Sequence, residues 1–185
     1  DPIEYKIDSI NQVAINNKVG LSFELVLKNI LRQDPDIIFI GEIRDKFSLD
    51  IALQASLTGH LVLASIHASS SVETITRLID LKADPFLIST TLKAVMAQRL
   101  VLAHCKSCEN GCKKCNFTKF YDRTSIAEIL KVDEQISSLI FNKASFNELK
   151  EYLKNINFKT MLDDGKQKVK DGLTTLEEVY KVVNF

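Results

Sequence analysis

Between Ser22 and Arg32, apolar side chains recur at Phe23, Val26, Leu27, Ile30 and Leu31. Spacings of three and four lay them on one stripe of an α-helix. The stripe ends at Asp34-Pro35, because proline disfavours helix in the residue before it. Ile37-Ile38-Phe39-Ile40 then runs apolar without alternation, the pattern of a strand buried on both faces of a parallel sheet. A second helix is predicted over 47–57, closed by Gly59, then a second buried strand over Leu61–Ile66 and a helix over 71–82. Asp84-Pro85 reads as a cap followed by proline in the first turn, opening a helix to about Ala97. Arg99–Ala103 reads as a third strand. Strands separated by helices predict an α/β fold with a mainly parallel sheet.

The pattern changes on either side of this block. Residues 1–20 mix polar and apolar positions and read as short extended segments ending at Gly20. Arg123–Val132 suits a short strand or helix. Helices follow over 133–142, 145–155 and 160–182, the last broken at Gly172, with Thr174 or Thr175 capping its final piece. The expected division is a core over 1–103, a four-cysteine lobe over 104–120 and a helical subdomain over 121–185.

Composition narrows the function classes. A 45% apolar and 26% charged chain of 185 residues can bury a sizeable core. Lys plus Arg equals Asp plus Glu at 24 each, so the basic excess of a nucleic-acid binder is missing and no direct nucleic-acid partner is expected. No apolar run reaches the ~18 residues of a membrane span, and no secretory signal opens the sequence. Asp1-Pro2 stands where a start methionine would, so the chain is expected to begin inside a longer protein.

The four cysteines follow the pattern Cys105-x2-Cys108-x3-Cys112-x2-Cys115. Such clustering points to metal binding in a reducing compartment rather than to a disulfide framework. Two CxxC knuckles supply the four thiolates of a tetrahedral structural Zn2+, and Asn110-Gly111 between them tolerates the positive φ of a tight reversal. An iron–sulfur cluster or a redox-active thiol pair are the alternatives. Lys106, Lys113, Lys114 and Lys119 make the lobe basic, either as a solvated face balancing the thiolates or as a contact for acidic headgroups.

Several segments together resemble one family. They are LRQDPDIIFIGEIRD (Leu31–Asp45), TGHLVLASIHA (Thr58–Ala68), the opening DPIEY with INQV after it, Arg77-Leu78-Ile79-Asp80, Pro85-Phe86, Ala97-Gln98-Arg99-Leu100 and the closing DGLTTLEEVYKVV. In this order they resemble the secretion ATPase superfamily, the motors of type II secretion and type IV pilus assembly. The first resembles its Walker B box, the second its His box and the opening its Asp box. The resemblance implies a RecA-like P-loop core, here truncated, joined to the zinc lobe and the helical subdomain. It further implies ATP and Mg2+ as ligands, a homo-hexameric ring, a cytoplasmic place at the inner membrane and platform proteins there as partners. The cysteines favour the secretion and assembly branch over the retraction branch, although their spacer is shorter than is general in the family.

Glu42 lies at the C-terminal end of the first apolar strand, the end where open parallel sheets bind ligands. A carboxylate there can orient a water and accept its proton as it attacks a γ-phosphate, or it can be a surface acid paired with Arg44. By resemblance Glu42 is the Walker B glutamate. Gly41 stands where many P-loop ATPases have aspartate, as in the family itself. Glu4, beside Asp1, resembles the Asp-box acid that assists with water or the magnesium shell. His67 shares Glu42's end if the strands are parallel and can donate to a phosphate. His60, at the opposite end, is a nucleotide-sensing position by resemblance or a capping histidine. Arg32, Arg44, Arg77, Arg99 and Arg123 are candidates for subunit interfaces. Arg44 and Arg123 match interface positions of the family, whereas Arg99 suits an internal ion pair equally well. Lys28 stands where relatives often have arginine. No G-x-x-x-x-G-K-[ST] loop occurs, so this chain alone is expected neither to hydrolyse ATP nor to bind it tightly. The alternatives are a DNA-uptake or transfer motor of the same superfamily and a non-catalytic zinc docking module.

Overall fold

A computed structural model describes Ile3 and residues 5–183. These residues form two compact units interleaved along the chain. The first runs to His67 and includes Thr74–Leu92 and Glu134–Ala144; the second comprises Ala68–Glu73, Lys93–Asp133 and the chain from Ser145 on. The expected boundaries at 103 and 120 both fall inside the second unit, because one strand hairpin runs across them.

In the first unit, helix α1 (Phe23–Ile30) is capped by Ser22, whose hydroxyl accepts from the Leu25 N–H at 3.2 Å. It ends in a 3-10 turn, Leu31–Gln33, with Asp34 left-handed ahead of Pro35. Strand β1 (Ile37–Ile43), helix α2 (Lys46–Leu57) and strand β2 (Leu61–Ile66) follow. β1 and β2 pair in parallel, Ile37 opposite Leu61 through Ile40 opposite Ala64. Asp45 caps α2, accepting from the Ser48 N–H at 2.8 Å and the Ser48 hydroxyl at 2.9 Å. Those bonds, the backbone one foremost, hold the Asp45 carboxyl below its ordinary range.

Burial on both faces of β1 and β2 is the expectation; it holds on one face of β1, and no residue of β2 is fully buried. Ile38, Ile40 and Ile43 are buried, as are Leu49, Ile51 and Leu53 of α2, which packs against β2. Ile37, Phe39, Leu61 and Leu63 are 49–72% exposed. A period of two puts these four on the side away from Ile38 and Ile40.

Helix α3 (Ser71–Asp80) comes next. α4 (Pro85–Thr91) begins as predicted, with Asp84 accepting from the Phe86 N–H at 2.9 Å. It ends at Thr91, not near Ala97. Val95, Ala97 and Val101 are buried while Met96, Gln98 and Leu100 are exposed, a period of two that belongs to strand β3 (Ala94–His104). The local apolar run fits helix or strand, and the pairing partner decides it. α5 (Glu134–Phe141) packs on α4 in the first unit, with Ile88, Ile136 and Ile140 fully buried.

In the second unit, β3 pairs antiparallel with β4 (Phe120–Lys131), Ala94 opposite Lys131 through Leu102 opposite Arg123. The third strand therefore does not extend the parallel sheet, and Arg123–Val132 is mostly strand. A direct hairpin connection with no crossover element allows only antiparallel pairing. Helices α6 (Phe146–Asn155) and α7 (Met161–Lys170) start with capping boxes, Ser145 with Glu148 and Thr160 with Asp163. Gly172, at φ 72°, breaks the last predicted helix, and α8 (Leu176–Val183) follows. Thr175 caps α8, its hydroxyl accepting from the Glu178 N–H at 3.3 Å, while Thr174 donates instead to the Leu102 carbonyl at 2.7 Å.

Both outer edges of the hairpin are engaged by α7, α8 and the turn between them. Asp164 accepts from the Ala127 N–H at 2.8 Å, and Lys168 donates to the Ser125 carbonyl. Glu178 accepts from the Leu102 N–H at 3.4 Å, and the His104 N–H reaches the Leu173 carbonyl at 2.8 Å. Beneath lie Ala97, Val101, Ile126, Met161 and Val179. α7 and α8 approach so closely at Gly165 that a Cβ there would stand 2.5 Å from Val179 Cγ1.

Two outcomes follow from this packing. Gly165→Ala gains about 1 kcal/mol of helix propensity but forces a shift of fully buried Val179, at about 1–3 kcal/mol. A net loss of up to about 2 kcal/mol is expected, read as a lower melting temperature. Asp45→Ala is expected to cost about 1 kcal/mol at neutral pH through the lost cap. The Asp45 pKa is lowered on folding, so its contribution is present above the ordinary carboxylate range and disappears as pH falls through the folded value. Denaturant melts at pH 7 and pH 2 should show the mutant's deficit shrinking in acid.

Candidate functional site

The C-terminal tip of the parallel pair is irregular in a way that aims a side chain. Ile40 pairs with Ala64 and Ile43 with Ile66, so β1 advances three residues while β2 advances two. The extra residue is a bulge at Gly41-Glu42. Strict alternation after Ile38 and Ile40 would turn residue 42 inward; the bulge instead buries Ile43 and leaves the Glu42 side chain 29% exposed. The Ser65 hydroxyl donates to the Gly41 carbonyl, occupying a backbone acceptor at the irregularity. A glycine inside an apolar strand run was the signal for this bulge in the sequence.

Arg44 Nε donates to Glu42 Oε2 at 2.7 Å. The surface pair weighed as an alternative for Glu42 is thus present, with the arginine side chain 66% exposed. His67 directly follows β2 and is exposed. Since the strands are parallel and Ile66 pairs with Ile43, His67 and Glu42 belong to the same end. His60 precedes β2 at the other end, on the order of 20 Å away at about 3.3 Å per residue. Its Nδ1 lies 3.0 Å from the Ala55 carbonyl and 3.1 Å from the Thr58 hydroxyl, closing the C-terminus of α2. Glu4 lies outside the described residues.

The arginines are spread over both units. Arg32 on the 3-10 turn, Arg77 in the last turn of α3 and Arg123 on β4 are all exposed. Arg99 is half-buried, and its guanidinium reaches the backbone carbonyls of Gln98 at 3.1 Å and Ser69 at 3.5 Å.

The cysteine segment is the loop of the β3–β4 hairpin, a placement that spacing alone did not reveal. Cys105 is fixed at its base, its N–H donating to the Lys119 carbonyl at 2.8 Å. Gly111 sits at φ 99°, and a Cβ there would meet the Phe117 backbone at 3.0 Å, so the reversal needs glycine on two counts. The four sulfurs all lie within 4.8 Å of one another and could hold a metal ion. Cys105 and Cys112 are 3.9 Å apart, Cys108 and Cys115 3.6 Å, Cys112 and Cys115 3.8 Å. The Cys112 N–H donates to Cys115 Sγ at 3.2 Å. That bond is the main force pulling the Cys115 thiol down to about 6, while desolvation, then the neighbouring sulfurs, push Cys108 up to about 12. His104 is turned away from this set: its Nδ1 lies 2.9 Å from the Gly172 carbonyl and its ring stacks on Phe120 at 5.4 Å.

Among the described residues no helix is long and apolar enough to cross a membrane. Comparison with known proteins matches residues 1–181 to the family model of the type II/IV secretion system proteins. The type II secretion system protein HxcR of Pseudomonas aeruginosa is 41% identical over 191 residues, covering 98% of this chain and 41% of HxcR. The type IV pilus assembly ATPase PilB of Thermus thermophilus is 39% identical over 207 residues, covering 97% of this chain and 23% of PilB. The chain thus spans well under half the length of these relatives. The crystal structure of the pilus retraction motor PilT with bound ADP aligns at a TM-score of 0.69 and 29% identity, over 87% of this chain and 43% of PilT. The α/β fold, the parallel strand pair and a match running almost from end to end agree: this chain belongs to the type II/IV secretion system protein family.

Proposed function

We propose that this chain is part of a hexameric ATPase that powers type II secretion or type IV pilus assembly, with Glu42 as the carboxylate that orients the attacking water. The supporting observation is the bulge that presents Glu42 at the C-terminal tip of two parallel strands, with His67 at the same end. ATP and Mg2+ bind there together with the phosphate-binding loop, which is not among these 185 residues. The water oxygen attacks the γ-phosphorus, the bond to the ADP oxygen breaks, and Glu42 takes up the water's proton. An exposed pair such as Arg44–Glu42 contributes about 1 kcal/mol or less, so it opens readily when nucleotide and water arrive. His67 donates to the γ-phosphate, and Glu4 assists with water or the magnesium shell. His60 acts only indirectly, by fixing the start of β2. Arg32, Arg44, Arg77 and Arg123 reach neighbouring subunits, and platform proteins hold the ring at the cytoplasmic side of the inner membrane. The exposed Ile37, Phe39, Leu61 and Leu63 are covered in the whole protein by chain outside these residues.

The cysteines hold structural zinc in this proposal. A tetrahedron of sulfurs about 2.3 Å from a central Zn2+ has edges of about 3.8 Å, and the three separations above are 3.6–3.9 Å. Sulfurs all within 4.8 Å fit one ion rather than a cluster whose thiolates sit on separate irons. Cys105, Cys108, Cys112 and Cys115 would hold the ion, whose contribution is to fold a loop too short for a core of its own.

In the complete protein, Glu42→Gln is expected to lower steady-state ATP turnover by about 10²-fold or more, the usual scale for a lost general base, with nucleotide binding retained. Unchanged turnover rejects the role of Glu42. Metal analysis of the purified chain should find one zinc per molecule, and Cys112→Ser should release it. Iron with visible charge-transfer absorbance rejects zinc.

A further inference from the structure

Glu128 is a buried carboxylate that takes no part in the chemistry above. It lies on the inward face of β4, 8% exposed. One carboxylate oxygen accepts from both the N–H and the hydroxyl of Ser71, each at 2.7 Å; the other accepts from the Met161 N–H at 3.1 Å. Ser71 opens α3 and Met161 opens α7. A single side chain therefore serves the first turns of two helices, whose unpaired N–H groups and positive dipole ends favour an anion. Burying a carboxylate is costly unless every oxygen is bonded; here both are, and all the groups belong to the second unit.

The place of Ser71 in the chain gives this contact a meaning beyond packing. The chain leaves the first unit between His67 and Ala68, and Ser71 is four residues after His67. The intervening segment is not slack. The Ser69 N–H donates to the Glu73 carboxylate at 2.7 Å, the Glu73 N–H donates to the Ser70 hydroxyl at 3.1 Å, and Arg99 reaches the Ser69 carbonyl at 3.5 Å. The segment after His67 is thus a bonded turn that Glu128 grips.

We infer that Glu128 is a positioning residue that ties the segment after His67 to the start of α7, so that the nucleotide state read at His67 sets the first turn of α7. α7 in turn holds the β4 edge through Asp164 and Lys168, which carries the effect along the hairpin bearing the cysteines. The inference rests on His67 as a phosphate sensor, and its test separates the two.

The measurement is backbone hydrogen exchange of the complete protein with Mg-ATP against Mg-ADP, with kcat and KM on the same samples. Unaltered protein should change exchange roughly tenfold, a typical scale for linked sites, at both 69–73 and 161–164. Glu128→Gln keeps one acceptor oxygen but turns an amide N–H toward one of its donors. It should retain the change at 69–73, lose it at 161–164 and lower kcat with KM nearly constant. His67→Ala should lose both changes. If Glu128→Gln keeps the change at 161–164, or unaltered protein shows none there, the proposal is overturned while the reading of His67 stands. If His67→Ala keeps both changes, that reading fails and takes the proposal with it. Should Glu128→Gln not fold, Ser71→Ala removes one donor and leaves the carboxylate; a reduced change at 161–164 supports the proposal and an undiminished one overturns it.

Discussion

A strand's side chains alternate between two faces, and the parallel pair must satisfy that rule while offering an acid at its tip. Ile38 and Ile40 commit one face of β1 to the core. Without a break in register the next inward position would be 42, and a carboxylate there would sit unpaired among apolar side chains. The single extra residue at Gly41-Glu42 resolves the conflict: Ile43 returns to the core and Glu42 is left at the rim, within reach of Arg44. The placement of His67 depends on the same pairing, since Ile66 finds its partner in Ile43 only after the irregularity.

The second unit solves a different problem. A lone two-stranded hairpin is marginal in water, yet β3–β4 must carry a small cysteine loop at its end. Helices α7 and α8 provide side chains for ladder groups on each outer edge, Asp164 on one and Glu178 on the other, and close the core over Val101 and Ile126. Gly165 sets how near the two helices come. The loop at the tip is therefore mounted on a supported stem, and the left-handed residues Gly111, Asn116 and Phe117 fold it back tightly enough to gather four sulfurs.

Much of this was legible in the sequence, for reasons that differ by element. The helices around Leu27 and Leu49 and the capped starts at Asp84 and Ser145 are local effects, written in spacing and in one or two polar residues. The order of strands and the common end of Glu42 and His67 followed from apolar runs joined by a helix. What the sequence hid was tertiary. The stretch after Thr91 has helix-compatible residues and becomes strand because β4, some thirty positions later, pairs with it. Glu128 carries no local sign of its role, since its partners Ser71 and Met161 lie 57 and 33 residues away. Gly41 is a local sign of the bulge, a glycine inside an apolar strand run.

The bare face of the parallel pair bears on how this polypeptide behaves in the test tube. Ile37, Phe39, Leu61 and Leu63 form a contiguous greasy strip, and in a sheet of only two described strands neither outer edge has a strand partner. Such a surface nucleates stacking between molecules as concentration rises. Preparations of these 185 residues on their own will tend toward soluble aggregates, and polar substitutions at Phe39 and Leu63 are the natural means of keeping them monodisperse.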